Sequence, residues 1–434
     1  MKNFNRIIGT LIGNTMEFYD FTIYAFLISY ISKEFFRFDN PALSYLVVLG
    51  VFASGYLTRP LGALLFGYIG DRQGRSKALS ISIIISTIAT FSIGLIPSYD
   101  HIGFVAPLIL IGLRLLQGFA VSGEGGAIVL LFEKYSFKDR GLIGGSMLAS
   151  TLGGVVLGSL VCALSSWLIS SGQANSWIWR LPFLLSLPFG LVAIVLRYLL
   201  NDFHLFQLAE KNDLTTKQPI RSLMKNYYRI ILYSVSTVSL YSLTSSALII
   251  HFPYLLTEKL GISNDISLLI LTALLSIVTI ATPILGKLLS AYKPEHIYRK
   301  AAFLLTVVAP FWFYCISIGN MPCILLTAVI FSLLIAAISS TMFPIFVGVF
   351  PFAVRYSGVA LSFNLSITLF SSTTPMAMLF LERYFHSVLA AGVYISFFTT
   401  LVLIFTQVLF KHRPMIYFNQ TESEIALYRG SVSQ

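Results

Sequence analysis

Stretches of about 20 or more predominantly apolar residues recur along nearly the whole chain, and this recurrence constrains the fold more than any other feature. A hydrocarbon core about 30 Å thick is crossed by roughly 20 apolar residues in a helix. Only 11% of the residues are charged and 56% are hydrophobic, whereas an average soluble domain carries about 25% charged residues. No stretch is long enough for a separate soluble domain. The pattern predicts an all-α integral membrane protein.

Hydropathy read together with loop signals predicts helices at about 7–31, 43–70, 77–97, 103–131, 141–170 and 178–200, and again at about 228–256, 265–290, 300–319, 321–346, 357–381 and 388–410. The chain thus divides into an N-terminal six-helix half (1–200), a cytoplasmic linker (201–227), a C-terminal six-helix half (228–410) and a short cytoplasmic tail (411–434). The tail has no sustained heptad pattern. Lys2 and Arg6 before an apolar run resemble a signal peptide, but the run is too long, contains Glu17 and Asp20 and lacks a small-residue cleavage site, so it is expected to be a permanent helix.

A net charge of +11 raises the question of a nucleic-acid partner, and the position of the cations answers it. With the N-terminus inside, 22 of the 29 Lys and Arg residues fall in inner loops, ends and linker, against 4 in outer loops. The positive-inside rule then puts both termini in the cytoplasm, and the cations face the anionic inner leaflet, with no nucleic acid required. Cys162, Cys315 and Cys323 all lie in apolar segments without paired spacing or a neighbouring His cluster, so they are expected to be ordinary buried thiols, neither zinc ligands nor a disulfide framework.

The halves echo each other. Gly67 to Asp71 closes the second helix and Gly286 to Ser290 the eighth, while Arg140-Gly141 and Arg355-Tyr-Ser-Gly358 open the fifth and eleventh. Paired halves around a midplane site are an architecture of secondary transporters.

The run Gly67-Tyr-Ile-Gly-Asp71-Arg72-Gln-Gly74-Arg75 crowds an acid and bases into a very short loop between two helices. It resembles the signature loop of the major facilitator superfamily. Gly67 and Gly74 allow close helix approach and a tight turn, and Asp71 can receive helix dipoles or pair with an Arg across the interface between halves. A latch on the cytoplasmic side is implied, with Arg140 and Arg355 in the matching positions. Further runs resemble the metabolite:proton symporters of that superfamily, which carry 2-oxoglutarate, citrate, shikimate, and proline or betaine. They are Gly13-Asn14-Thr-Met-Glu17-Phe18-Tyr19-Asp20-Phe21, Gly55-Tyr56-Leu-Thr-Arg59-Pro60-Leu-Gly62, Arg114-Leu-Leu-Gln117-Gly118 with Gly123-Glu124, and Phe350-Pro351 through Arg355-Tyr356-Ser-Gly358 to Asn364. Departures are Ser290 where the family repeats its Asp, Lys293-Pro294 where a Gly-Arg is usual, and Asn201-Asp202-Phe203-His204 where a Glu-Thr-Pro-Phe-like stretch is usual. The latch of the second half is therefore expected to be degenerate.

Glu17, Asp20, Arg59 and Arg114 all fall about 15–20 Å into their helices, close to the midplane. Each costs about 2.5 to 3.5 kcal/mol against insertion, so they are expected to pair or to line a water-filled cavity. Glu17 and Asp20 share a helix face. Their mutual repulsion and partial desolvation favour proton binding, and a nearby Arg opposes it. Proton coupling is accordingly expected at Asp20 or Glu17, with Glu124 third. Arg59 and Arg114 are expected to hold a substrate carboxylate by bidentate contacts, the competing reading being a structural buried ion-pair network. Across the other half the polar midplane residues are Tyr241, Thr244, Ser245, Ser339, Ser340 and Asn364, among which Tyr241 and Asn364 are the preferred substrate contacts and the rest polar glue. His251 is expected to be interfacial.

Several functions are disfavoured. No phosphate-cradling loop, His-Glu-x-x-His or Ser-His-Asp set is present, so an enzyme is not expected. Ala149-Ser150-Thr-Leu-Gly153-Gly154 lacks the Pro that an exporter of drugs would carry in the fifth helix. The resemblance implies proton-coupled uptake of a small organic acid or zwitterion, alternatively a proline- or betaine-type osmolyte carrier, in a bacterial cytoplasmic membrane. It implies no cofactor beyond the proton gradient and no obligatory protein partner for what is expected to be a monomer.

Overall fold

The computed structural model describes residues 2–36, 41–134, 140–199 and 219–410. Among them every regular element is helical, in twelve spans. In the first half these are α1 (Lys2–Phe26, continued past Leu27 by Ile28–Phe35), α2 (Pro41–Leu57 and Arg59–Gln73), α3 (Arg75–Leu95), α4 (Val105–Val121, a 3-10 turn Ser122–Glu124, Gly125–Lys134), α5 (Arg140–Ser170) and α6 (Ser176–Arg180, Leu181–Leu184, Ser186–Leu199). The second half has α7 (Tyr228–Ser246, a π turn Ala247–His251, Phe252–Glu258), α8 (Asn264–Leu288), α9 (Pro294–Ile318), α10 (Met321–Val347), α11 (Arg355–Ser366, a π turn Ile367–Ser371, Thr374–Phe385) and α12 (Leu389–Phe410).

Nine of these spans are long and apolar enough to cross a membrane by length and composition, among the described residues. The three below that mark are α1, α2 and α11. They carry Glu17 and Asp20, Arg59 and Asp71, and Arg355 and Asn364, so the polar residues that lower their hydropathy are the candidate functional ones. The outer surface is apolar, with Phe303 on α9 64% and Phe397 on α12 59% exposed. Contiguous apolar surface of that kind suits lipid rather than water.

One expectation is corrected here. Cys315 and Cys323 are joined as a disulfide, and only Cys162 remains a free buried thiol. Gly319, at φ 76°, reverses the chain between α9 and α10 and brings the last turn of one beside the first turn of the other. Spacing along the chain did not reveal that proximity. Within the linker 201–227 the described residues hold a helix, Pro219–Asn226, which buries Leu223 near the start of α11. Residues 200–218, including the Asn201-to-His204 departure, and the tail 411–434 lie outside the described residues.

Candidate functional site

The end of the bundle that carries the α2–α3 loop, the basic end, is closed by two contacts between the halves. In the first, α11 begins against α2 and α4. Asp71 accepts hydrogen bonds from the backbone N–H of Tyr356 (3.2 Å) and of Ser357 (2.9 Å) and from the Ser357 hydroxyl (2.7 Å). These are N–H groups of the first turn of α11, which lack a partner within their own helix and carry the positive end of its dipole. A carboxylate from the other half thus caps the helix. The fully buried Tyr356 ring wedges in beside it and donates to Gly123 O at 2.7 Å. A Cβ on Gly70 would meet that ring at 2.6 Å and one on Gly126 at 1.9 Å, so the wedge requires glycine on both facing helices. Gly67 likewise faces Ser357, and Gly74, at φ 101°, makes the turn into α3.

The same contact continues toward the middle. Arg59 Nε donates to Asn364 Oδ1 at 2.9 Å, Asn364 Nδ2 donates to Ser122 O and Ala360 O, and Thr368 donates to Tyr56 O. Arg59 and Asn364, both expected to touch substrate, are therefore engaged with each other across the halves. Arg72 is exposed and bonds Tyr68, Arg355 donates to Phe350 O, and Arg140 is buried at the start of α5. The side chains of Arg75 and Glu124 lie outside the described residues.

The second contact joins α5 to α8. A Cβ on Gly141 would lie 2.4 Å from Gly286 O, and one on Gly286 2.2 Å from Gly141 O, so the two backbones touch. Ser290, in the position that echoes Asp71, is exposed and donates back to Lys287 O. This contact is made by two close backbones, with the Ser290 hydroxyl turned to its own chain.

Above these contacts lies the charged centre. Arg114 is 0% exposed; Nη1 donates to Gln117 Oε1 (2.7 Å) and Phe21 O, and Nη2 to Phe52 O. No carboxylate pairs with it among the described residues. Its guanidinium lies over three rings instead, Tyr24 at 4.3 Å, Phe21 at 4.9 Å and Phe52 at 5.2 Å. Arg59 lies against the same Phe21 ring at 5.0 Å. Two buried cations thus share one aromatic side chain of α1. Glu17 and Asp20 are both buried on α1, and the Asp20 oxygen Oδ1 is buried without a hydrogen bond among the described residues.

Gln117 ties these parts together, since Nε2 donates to Asp20 O and to Thr90. It lies three residues after Arg114, one helical turn on, which is the sequence signal that could have marked it. Tyr241 is buried on α7, and Thr244 and Ser340 bond back to their own helices. The links between α7 and α11 come instead from Ser242 to Ser366 and Ser246 to Ser371.

The end away from the basic face is open between α2 and the second half, while α5 and α8 stay joined by Ser159 and Thr272, 2.8 Å apart. A cleft of about 210 Å³ opens there between α2 (Phe52, Ala53), α7 (Ile250, His251, Tyr254) and α11 (Ser372 to Arg383). His251 is not interfacial: Nε2 lies 2.8 Å from Glu382 Oε1, with both side chains buried.

The family model described as Major Facilitator Superfamily matches residues 10–372. The chain is 31% identical over 386 residues to the Proline/betaine transporter of Escherichia coli K12, covering 87% of this chain and 77% of that one. It is 31% identical over 388 residues to the Glycine betaine/proline/ectoine/pipecolic acid transporter OusA of Dickeya dadantii, with the same coverage. Among solved structures, that of the proton:xylose symporter XylE bound to a bromodeoxyglucose superposes with a TM-score of 0.75 at 16% identity, over 93% of this chain and 95% of that one. This last likeness concerns the fold.

Proposed function

The chain belongs to the major facilitator superfamily, and from that premise we propose that it is a secondary active transporter that imports a small zwitterion of the proline or betaine kind together with protons across a bacterial cytoplasmic membrane. It is a transporter and not an enzyme, and its work needs no cofactor beyond the proton gradient. The basic end faces the cytoplasm, with both termini, and a single copy of the chain carries out the cycle.

The observation that carries the substrate class is Arg114, fully buried with no carboxylate beside it among the described residues. A buried cation without a counter-charge is costly, and a substrate carboxylate meeting the guanidinium, by bidentate contact where geometry allows, removes that cost. The rings of Phe21, Tyr24 and Phe52 around it offer π faces that suit a quaternary or secondary ammonium, so one pocket offers both halves of a zwitterion. Binding there also competes for the charge that Arg59 now lends to Asn364, and so bears on the contact that seals the basic end. Asp20 carries the coupled proton, supported by its buried oxygen without a hydrogen bond among the described residues, with Glu17 beside it and Glu124 third. A dicarboxylate substrate remains the second reading, favoured by the two guanidinium groups against Phe21.

The test is uptake into proteoliposomes under an imposed inward proton gradient, with labelled proline, betaine, citrate, 2-oxoglutarate and shikimate. Gradient-driven accumulation of proline or betaine, lost in Arg114→Ala, is expected. Accumulation of only the di- or tricarboxylates would replace the zwitterion by the second reading, and movement of none would remove both.

A further inference from the structure

In each half, an acid at the end away from the basic face pairs with a basic side chain, and the two pairs differ in chemistry. In the first half Arg180 bonds Glu34 at 2.8 Å and also donates to Gly94 O and Ile96 O, tying α1, α3 and α6 together. Arginine stays charged at any pH a cell meets. In the second half His251 bonds Glu382 at 2.8 Å, with side chains 2% and 4% exposed. Histidine is the side chain that changes charge near neutrality.

Three further features single out this second pair. His251 closes the π turn of α7, and π turns are rare and frequent at functional sites. It also lines the cleft, so the ring borders the space that opens at that end. Glu382 Oε2 is buried with no hydrogen bond among the described residues. The surroundings supply no second acid: α7 presents Tyr254, whose ring stacks on His251 at 6.0 Å, α9 presents Phe313, α2 Phe52 and Ala53, and α11 adds Ser372 and, at the rim, Arg383.

We propose that His251 and Glu382 form a second proton-binding site, separate from the carboxylates of α1, which takes a proton from the outer solution and so links closure of the outer cleft to external pH. With neutral imidazole the pair carries one net negative charge. Adding one proton to the ring leaves imidazolium and carboxylate, with no net charge. Closing the cleft shuts the pair off from solvent, and a buried carboxylate beside a neutral imidazole lacks the counter-charge that an imidazolium gives it. Protonation from outside therefore favours closure. The transport consequence rests on the function proposed above, whereas proton binding by the pair does not.

Two readouts test the proposal on the full-length purified protein. Nitrogen-15 histidine NMR in nanodiscs follows the imidazoles between about pH 5 and 8, with the His251 signal assigned by its loss in His251→Gln. Substrate exchange, which needs no net proton flux, is then measured in vesicles with the internal pH clamped and the external pH varied. The expected result is a His251 signal that titrates in this window, moves its midpoint in Glu382→Gln, and is matched by an external-pH dependence of exchange that is lost in both variants. A flat His251 signal, a midpoint unmoved in Glu382→Gln, or an unchanged pH dependence of exchange in that isosteric variant would overturn it. If the wild type exchanged no solute, the transport reading would fall while the NMR arm still decided whether the pair binds a proton.

Discussion

The two contacts that close the basic end occupy matching places in the two halves, yet they are built from different chemistry. Between α2 and α11 a carboxylate caps the first turn of a helix, a buried tyrosine fills a groove of glycines, and an Arg–Asn hydrogen bond extends the contact to the middle of the membrane. Between α5 and α8 two glycine backbones meet, and Ser290 turns away from the helix it would have to cap. Small residues stand at both crossings, while Asp71 has a serine, Ser290, as its counterpart in the second. The first contact is thus directional, made of hydrogen bonds to fixed partners, and the second is a close approach of two backbones.

The largest effect that would break this comparison is expected from Asp71→Ala. It leaves the first turn of α11 without its capping acceptor, and hydrogen bonds to a charged group are worth about 1.5–3 kcal/mol each, so initial uptake rates should fall at least about tenfold. Spin-label distances between α2 and α11 at the basic end should lengthen. Gly141→Ala is expected to come next: its methyl group would meet Gly286 O at 2.4 Å, and overpacking costs about 1–3 kcal/mol. Labels on α5 and α8 should separate while those on α2 and α11 hold their distance. If both pairs moved together, the two contacts would be one unit and the distinction would fail. Tyr356→Phe removes the hydroxyl that bonds Gly123 O, about 1 kcal/mol, and should slow transport a few-fold at most. Ser290→Asp should give the smallest change. An acid added near the start of α5 gains about 0.3–1 kcal/mol from its dipole, and the distribution of α5–α8 distances should shift slightly toward the closed state.

What the sequence makes legible divides along a physical line. Helix positions follow from composition over windows of about 20 residues, and the twelve spans begin and end within a few residues of their expected places, except that α1 and α9 start about five or six residues earlier. The break at Thr58, the 3-10 turn at Ser122–Glu124 and the π turns of α7 and α11 were not legible, because a one-residue change of winding hardly alters hydropathy. The buried charges stood out because each is expensive in lipid. Their partners did not, since a partner is set by tertiary contact: Asn364 lies 305 positions from Arg59, and Glu382 lies 131 from His251. Asp71 is the exception. Its motif pointed to a helix terminus as well as to an Arg, and the carboxylate is found on the backbone N–H groups of α11.

The claim that this chain moves a zwitterion together with protons is tested most directly by recording external pH while substrate is added to lightly buffered proteoliposomes that hold no initial gradient. The account predicts that betaine or proline alkalinises the medium as protons follow it inward, that Asp20→Asn abolishes this signal while still exchanging labelled substrate, and that Arg114→Ala abolishes both. Substrate entry with no change in external pH in the wild type, or an undiminished pH signal in Asp20→Asn, would contradict it.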